Sequence, residues 1–152
     1  MNNKNLELKI KLVEECKKSQ LKVVKNLKTA MDDAQQSANE YGPPKDRYDS
    51  FRMQLLRKKD MYGQQMEKAL NELYALEKID TEKKMNTVGF GSVVITNEQK
   101  LFISIGLGKL MLKNETYYAV SMMVPICKAL SGKKKGDAVE FNGKKNEIKD
   151  VF

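Results

Sequence analysis

Histidine and tryptophan are missing from this 152-residue chain, and cysteine occurs only twice. Without histidine the commonest general base is gone, which argues against a free-standing hydrolase or transferase. Cys16 and Cys127 stand far apart with no metal-like spacing around them. A disulfide framework, a structural zinc site or a Cys-His nucleophile would be hard to assemble from them, and both thiols are expected to be buried or inert. A long apolar run is missing as well, and no signal-type hydrophobic core follows Met1-Asn2-Asn3-Lys4. The expectation is a chain that neither spans a membrane nor is exported, with the cytoplasm as its location.

A basic tail is also lacking, although the net charge is +8. Residues 1–85 hold 18 Lys and Arg against 14 Asp and Glu, and residues 86–152 hold 10 against 6. Each half therefore carries the same modest excess, the pattern of a solvated surface, whereas duplex binders gather their cations on one stripe. The one compact run of the first half, Arg57-Lys58-Lys59, is read as solvated in preference to lying along a nucleic-acid strand.

What is present divides the chain near residue 86 into two modules, a charged and periodic half and a Gly- and β-rich half. Ile10, Val13, Lys17, Gln20, Val24, Leu27, Met31, Ala34 and Ala38 follow alternating steps of three and four, the spacing of a coiled-coil seam. Gly42-Pro43-Pro44 breaks the pattern, and Tyr48, Arg52, Leu55, Lys59, Tyr62, Met66, Ala69, Leu73 and Leu76 resume it. A connection that short forces the two helices to run antiparallel. Residues 1–85 are thus expected to form a helical hairpin whose arms, at about 1.5 Å per residue, are on the order of 50 Å long. The polar intrusions Lys17, Gln20, Arg52 and Lys59 suit a two-stranded arm. A dimeric coiled coil is the competing arrangement.

In residues 86–152, the β-branched runs 87–95 and 100–105 flank Asn97-Glu98-Gln99 and read as a hairpin. Residues 117–121 are a third strand. Residues 124–130 form a short helix with Pro125 in its first turn and Gly132 closing it. Residues 138–141 and 144–151 flank Asn142-Gly143, the dipeptide that best accepts the positive φ angles of a type I′ turn. The expected fold is α+β: an antiparallel coiled-coil hairpin followed by a small sheet domain with one short helix.

Asp46-Arg47-Tyr48-Asp49 places two carboxylates three residues apart, just past the break and so at the hairpin's end. One reading is local: an Asp at the N-cap with an acid three positions later resembles a capping box, and negative charge favours a helix N-terminus. The other is that the pair carries negative charge to a distant site.

The stretch from Val120 to Val139 carries a family resemblance. It holds Pro125, Ile126, Lys128, Ala129, Leu130, Gly132, Lys133, Gly136 and Asp137 in the register of the C-terminal signature of Gre-type transcript cleavage factors, departing at Val124 and Cys127. The order of the two modules also resembles that family, in which an antiparallel coiled coil precedes an FKBP-like domain. Asp46-x-x-Asp49 is similar to the family's Asp-x-x-Glu tip, with Asp in place of Glu and Ser50 in place of the following Asn.

The resemblance implies a transcription elongation factor whose arm enters the secondary channel of RNA polymerase. There Asp46 and Asp49, with Glu40 as a possible third tip acid, would help hold a Mg²⁺ ion near the 3′ end of the nascent RNA, and the polymerase itself would cut backtracked RNA. Mg²⁺ would be shared with the polymerase and not bound stably by this chain, since the ion keeps its waters and needs further oxygen ligands. No free-standing enzyme activity is implied. Lys45, Arg47 and Arg52 would lie near RNA phosphates, or be ordinary surface charge, and Tyr41 and Tyr48 would stiffen the tip. The implied docking surface includes Met122, Met123, Pro125 and Lys128, with Met suited to irregular contacts. A monomer away from membranes is expected.

Three other readings stand beside this one. One is a channel binder of the same fold that modulates or inhibits the polymerase without stimulating cleavage, and Asp49 and Ser50 favour it. A prolyl isomerase would need an aromatic-lined cleft, which the few aromatics Phe90, Phe102, Tyr117, Tyr118, Phe141 and Phe152 make hard to build. A dimeric coiled-coil or DNA-binding protein is separated by light scattering and by salt-dependent duplex binding.

Overall fold

The computed structural model describes residues 2–46 and 49–152. Two long helices, α1 (Asn3–Tyr41) and α2 (Ser50–Glu77), precede strands β1 (Val93–Thr96), β2 (Lys100–Ile103), β3 (Gly108–Leu112) and β4 (Glu115–Val120). A short helix α3 (Pro125–Leu130) then leads to β5 (Ala138–Phe141) and β6 (Lys144–Val151). No helix among the described residues is long and apolar enough to cross a membrane.

Gln20–Tyr74 forms one compact unit, and the residues up to Ser19 join Ala75–Phe152 in a second. Within the first, α1 and α2 run antiparallel. The Gln20 side chain donates to the Ala69 carbonyl at 2.8 Å, and the Tyr41 and Phe51 rings meet at 5.0 Å. The seam spacing is realised: Ala34, Ala38, Ala69 and Leu73 are buried, while Val24, Leu27, Met31, Leu55, Tyr62 and Met66 are half-buried. Half-burial at most seam positions is what a two-stranded contact produces, because each side chain is covered from one side. Gln20 is buried at 3 % exposure, and its hydrogen bond to the Ala69 carbonyl removes the penalty of an unpaired amide in the seam.

In the second unit the strands form a six-stranded mixed sheet of order β3-β4-β2-β1-β6-β5. Side-chain alternation along β1 and β2 sends Val93 and Phe102 to one face, and Val94, Leu101 and Ile103 to the other. The first face is covered by Leu12, Val13 and Cys16 of α1 and by Leu76 of α2. The second is covered by Cys127 and Leu130 of α3, with Ile148 and Val151 of β6. Both faces of the central strands are therefore buried, which explains why their sequences read as continuous apolar runs. The two free cysteines are buried in these two clusters.

Three features were not part of the sequence-based expectation. The run 87–95 becomes a strand only from Val93. Before it Gly91 takes φ +87°, and the Ser92 hydroxyl donates to the Gly89 carbonyl at 2.6 Å, holding a turn. The strand β3 was not expected. It pairs antiparallel with β4 across Lys113-Asn114, both at positive φ of 49° and 65°, so a turn of the type I′ kind forms without glycine. Lastly, β4 pairs parallel with β2, which makes the sheet mixed. The turn at Asn142-Gly143 is as expected, with φ of 52° and 77°.

Candidate functional site

The loop between α1 and α2 is closed by a small set of polar contacts. Gly42, at φ +87°, ends α1 with its N–H on the Ala38 carbonyl at 3.1 Å, a left-handed conformation that glycine adopts without a Cβ penalty. Pro43 and Pro44 prevent the helix from continuing. The Arg52 Nε donates to the Gly42 carbonyl at 3.0 Å, tying the start of α2 to the end of α1.

Asp49 is the N-cap of α2. Its Oδ1 accepts from the Arg52 backbone N–H at 3.2 Å, three residues on, and its Oδ2 accepts from the Lys45 backbone N–H at 2.9 Å. The Lys45 N–H holds the Asp49 carboxyl below the usual carboxylate range, against an opposing desolvation, with the Tyr41 hydroxyl and the Arg52 N–H acting in the same direction as Lys45. The hydrogen bond to Asp49 in turn pushes the Tyr41 phenol above its ordinary value. The capping role thus falls on the second acid of the pair, where the sequence pattern had placed it on Asp46. The reason is the path of the loop: Gly42-Pro43-Pro44 delays the restart of the helix until Ser50.

The remaining tip residues take distinct positions. Asp46 is exposed, and its carbonyl accepts from the Asp49 N–H at 3.3 Å. Glu40 is exposed and accepts from the Gln36 side chain at 3.0 Å, one turn back on α1. The Lys45 ammonium lies 5.2 Å from the centroid of the Tyr41 ring, a cation–π distance. Arg47 and Tyr48 lie outside the described residues. The Tyr41 ring meets Phe51, and its hydroxyl bonds the Asp49 carboxylate. Exchanging Asp49 for alanine should leave the Arg52 and Lys45 amides without a side-chain acceptor and speed their hydrogen exchange several-fold. Asn at the same position, also a good N-cap, should protect Arg52 nearly as well as Asp does. Amide exchange read residue by residue by NMR checks both.

In the second unit the stretch around α3 is organised by its backbone. Pro125 occupies the first turn of α3, where its missing N–H costs nothing. Gly132, at φ +75°, and the Lys133 carbonyl exchange hydrogen bonds with the carbonyl and N–H of Val88 at 3.0 and 2.8 Å. The Asp137 carboxylate accepts from the Lys134 N–H at 3.0 Å and holds the turn before β5. Of the four residues expected on a docking surface, Met123, Pro125 and Lys128 are exposed, Met123 at 71 %. Met122 is half-buried and packs on the α3 side of the sheet, as do Val124 and Ile126.

One polar cluster had no signal in the sequence. Lys100 donates to Glu115 at 2.6 Å, Tyr117 donates to the same carboxylate oxygen at 3.1 Å, and Lys100 lies 5.5 Å from the Tyr117 ring centroid. Lys100 and Glu115 meet only because β2 and β4 pair in parallel, a long-range contact that no local pattern announces.

Among the described residues, no group of three or more Cys, Asp or Glu is gathered closely enough to hold a metal ion. As oxygen donors, the Asp46 and Asp49 carboxylates suit Mg²⁺, which is commonly bound by one or two carboxylates together with waters and phosphates. No model of a known protein family matches the chain, and no curated protein matches it.

Proposed function

We propose that this chain is a transcription factor that inserts its helical hairpin into the secondary channel of RNA polymerase and stimulates cleavage of backtracked RNA. The observation that carries the reading is a hairpin of antiparallel helices whose connecting loop holds two acids three residues apart, Asp46 and Asp49, joined by a backbone hydrogen bond. The motif from Pro125 to Asp137 supports it, since in this chain those residues set the backbone turns around α3. In this reading Asp46 and Asp49 contribute negative charge and oxygen donors, the capped loop holds them in place, and Met123, Pro125 and Lys128 form part of the docking face. A Mg²⁺ ion bound there would supply activation of water and stabilisation of the leaving oxygen.

One observation favours a second reading, a channel binder that regulates the polymerase without stimulating cleavage. Both Asp49 oxygens already accept backbone N–H bonds, so the capping role competes with ligation. The test compares transcript cleavage in backtracked elongation complexes with the unaltered chain, Asp46→Asn and Asp49→Asn. The asparagines keep size, and at position 49 the cap, while removing charge. Faster cleavage lost in both variants supports the first reading. No stimulation, together with displacement of another secondary-channel factor, supports the second. Failure to affect or bind the polymerase overturns both.

A further inference from the structure

A cavity of about 430 Å³ opens in the second unit, between the first turns of α1 and the β2-β4-β3 side of the sheet. Its volume falls in the range of small-molecule sites, roughly 300–1,000 Å³. Four lysines line it, Lys4 and Lys11 from α1, Lys100 from β2 and Lys113 from the β3–β4 turn. Against them stands one carboxylate, Glu115, which is engaged by Lys100 and by the Tyr117 hydroxyl. The lining also includes Leu8, Ile95 and Leu112, all partly buried against the core cluster of Phe102 and Phe152.

This asymmetry is not what folding alone demands. The lysines come from three separate segments; Lys100 and Tyr117, and then Lys4, help to hold the Glu115 carboxyl below its usual range, and among the described residues no ion pair engages Lys11 or Lys113. A cavity lined by both cations and aliphatic carbons fits an amphipathic anion. The kind of cation narrows the head group. All four are lysines, compact point charges that suit a dianionic phosphate, and the lining contains no arginine fork for planar pairing with a carboxylate. We infer that this cavity binds a small phosphate ester, its phosphate among Lys4, Lys11 and Lys113 and its apolar body against Leu8, Ile95 and Leu112. Lys100 stays on Glu115 and shapes the floor. The inference is independent of the polymerase reading, since the cavity shares no residue with the hairpin loop or with the α3 face.

Hexyl phosphate, inorganic phosphate and hexanol serve as whole ligand and half ligands in an NMR titration of the full chain. Hexyl phosphate should shift the amides of residues 4–11 and 110–117 saturably, with at least tenfold higher affinity than inorganic phosphate or hexanol. Lys4→Ala/Lys113→Ala should weaken it at least tenfold. Lys133→Ala/Lys135→Ala, which removes the same charge elsewhere on the surface, should leave it unchanged. Both pairs lie at exposed positions, so the fold is retained. Equal affinity for inorganic phosphate, or equal weakening by the two double variants, would overturn the site as one of general charge attraction. A parallel arm with phosphatidic acid vesicles separates the sources of the phosphate. Binding to vesicles without binding to hexyl phosphate would overturn the soluble ester in favour of a lipid surface.

Discussion

Phe102→Ala is expected to destabilise the chain by about 3–5 kcal/mol, the largest effect of any single truncation in the second unit. Phe102 is fully buried and sits where the helices and the sheet share a core, in one cluster with Leu12, Val13, Leu76, Val93 and Phe152. Removing its ring would leave a void lined by α1, α2 and three strands at once. These elements cannot collapse into the void together without giving up strand register or the helix contacts. Thermal unfolding should fall by roughly 10 °C for a chain of this length. Phe90→Ala is the control, since Phe90 keeps 42 % of its surface exposed and lies outside the cluster. Similar losses for the two variants would mean that the shared core contributes far less than its burial implies.

Stability is also expected to fall steeply in alkali. Burial pushes the Cys16 thiol from 9.0 up to about 11, and does the same to Cys127. Tyr117, raised first by burial and then by its hydrogen bond to Glu115, moves from 10.0 to about 12. Each group holds its proton more tightly in the folded chain than in the unfolded one. The folded state is therefore favoured in full below the unfolded values, and that advantage is lost as pH climbs through the folded ones, between about 9 and 12. Each thiol should account for on the order of 2 kcal/mol. Lys9 works in the opposite sense. Burial lowers its pKa although its ammonium donates to the Lys83 carbonyl at 3.2 Å, so the folded state gains relative stability as pH rises toward the unfolded value. Urea unfolding at pH 8 and pH 11 should show a large drop, smaller in Cys127→Ala and larger in Lys9→Met. A flat profile across that interval would contradict proton-linked burial of the thiols.

The parts of the fold that could be read from the sequence are those written in local chemistry. The steps of three and four from Ile10 to Ala38 and from Arg52 to Leu76 carry helix phase directly, and Asn142-Gly143 and Pro125 each satisfy a backbone requirement that few residues meet. The strand β3 escaped because Gly108 and the short stretch after it carry weak β signals, and because Lys113-Asn114 makes its turn without glycine. The parallel pairing of β2 with β4 depends on partners distant in sequence, and so does the lysine-lined cavity. At the tip the acidic pair was visible, but its division of labour was not. Whether Asp46 or Asp49 caps α2 is decided by where the chain re-enters the helix after Gly42-Pro43-Pro44, a matter of loop path and not of residue type.

The capped tip also gives the proposed function a geometric consequence. If the hairpin loop works in the polymerase channel, its acids must come within reach of the RNA 3′ end, and the arm must be held there by the second unit. The most direct measurement is photocrosslinking from a 4-thiouridine at the 3′ end of backtracked RNA, in an elongation complex saturated with this chain. The account predicts a crosslink that maps to the peptide spanning residues 40–52 and that disappears when a known secondary-channel factor is added in excess. A chain that binds the complex but crosslinks through its sheet unit, or that does not bind the complex at all, would contradict it.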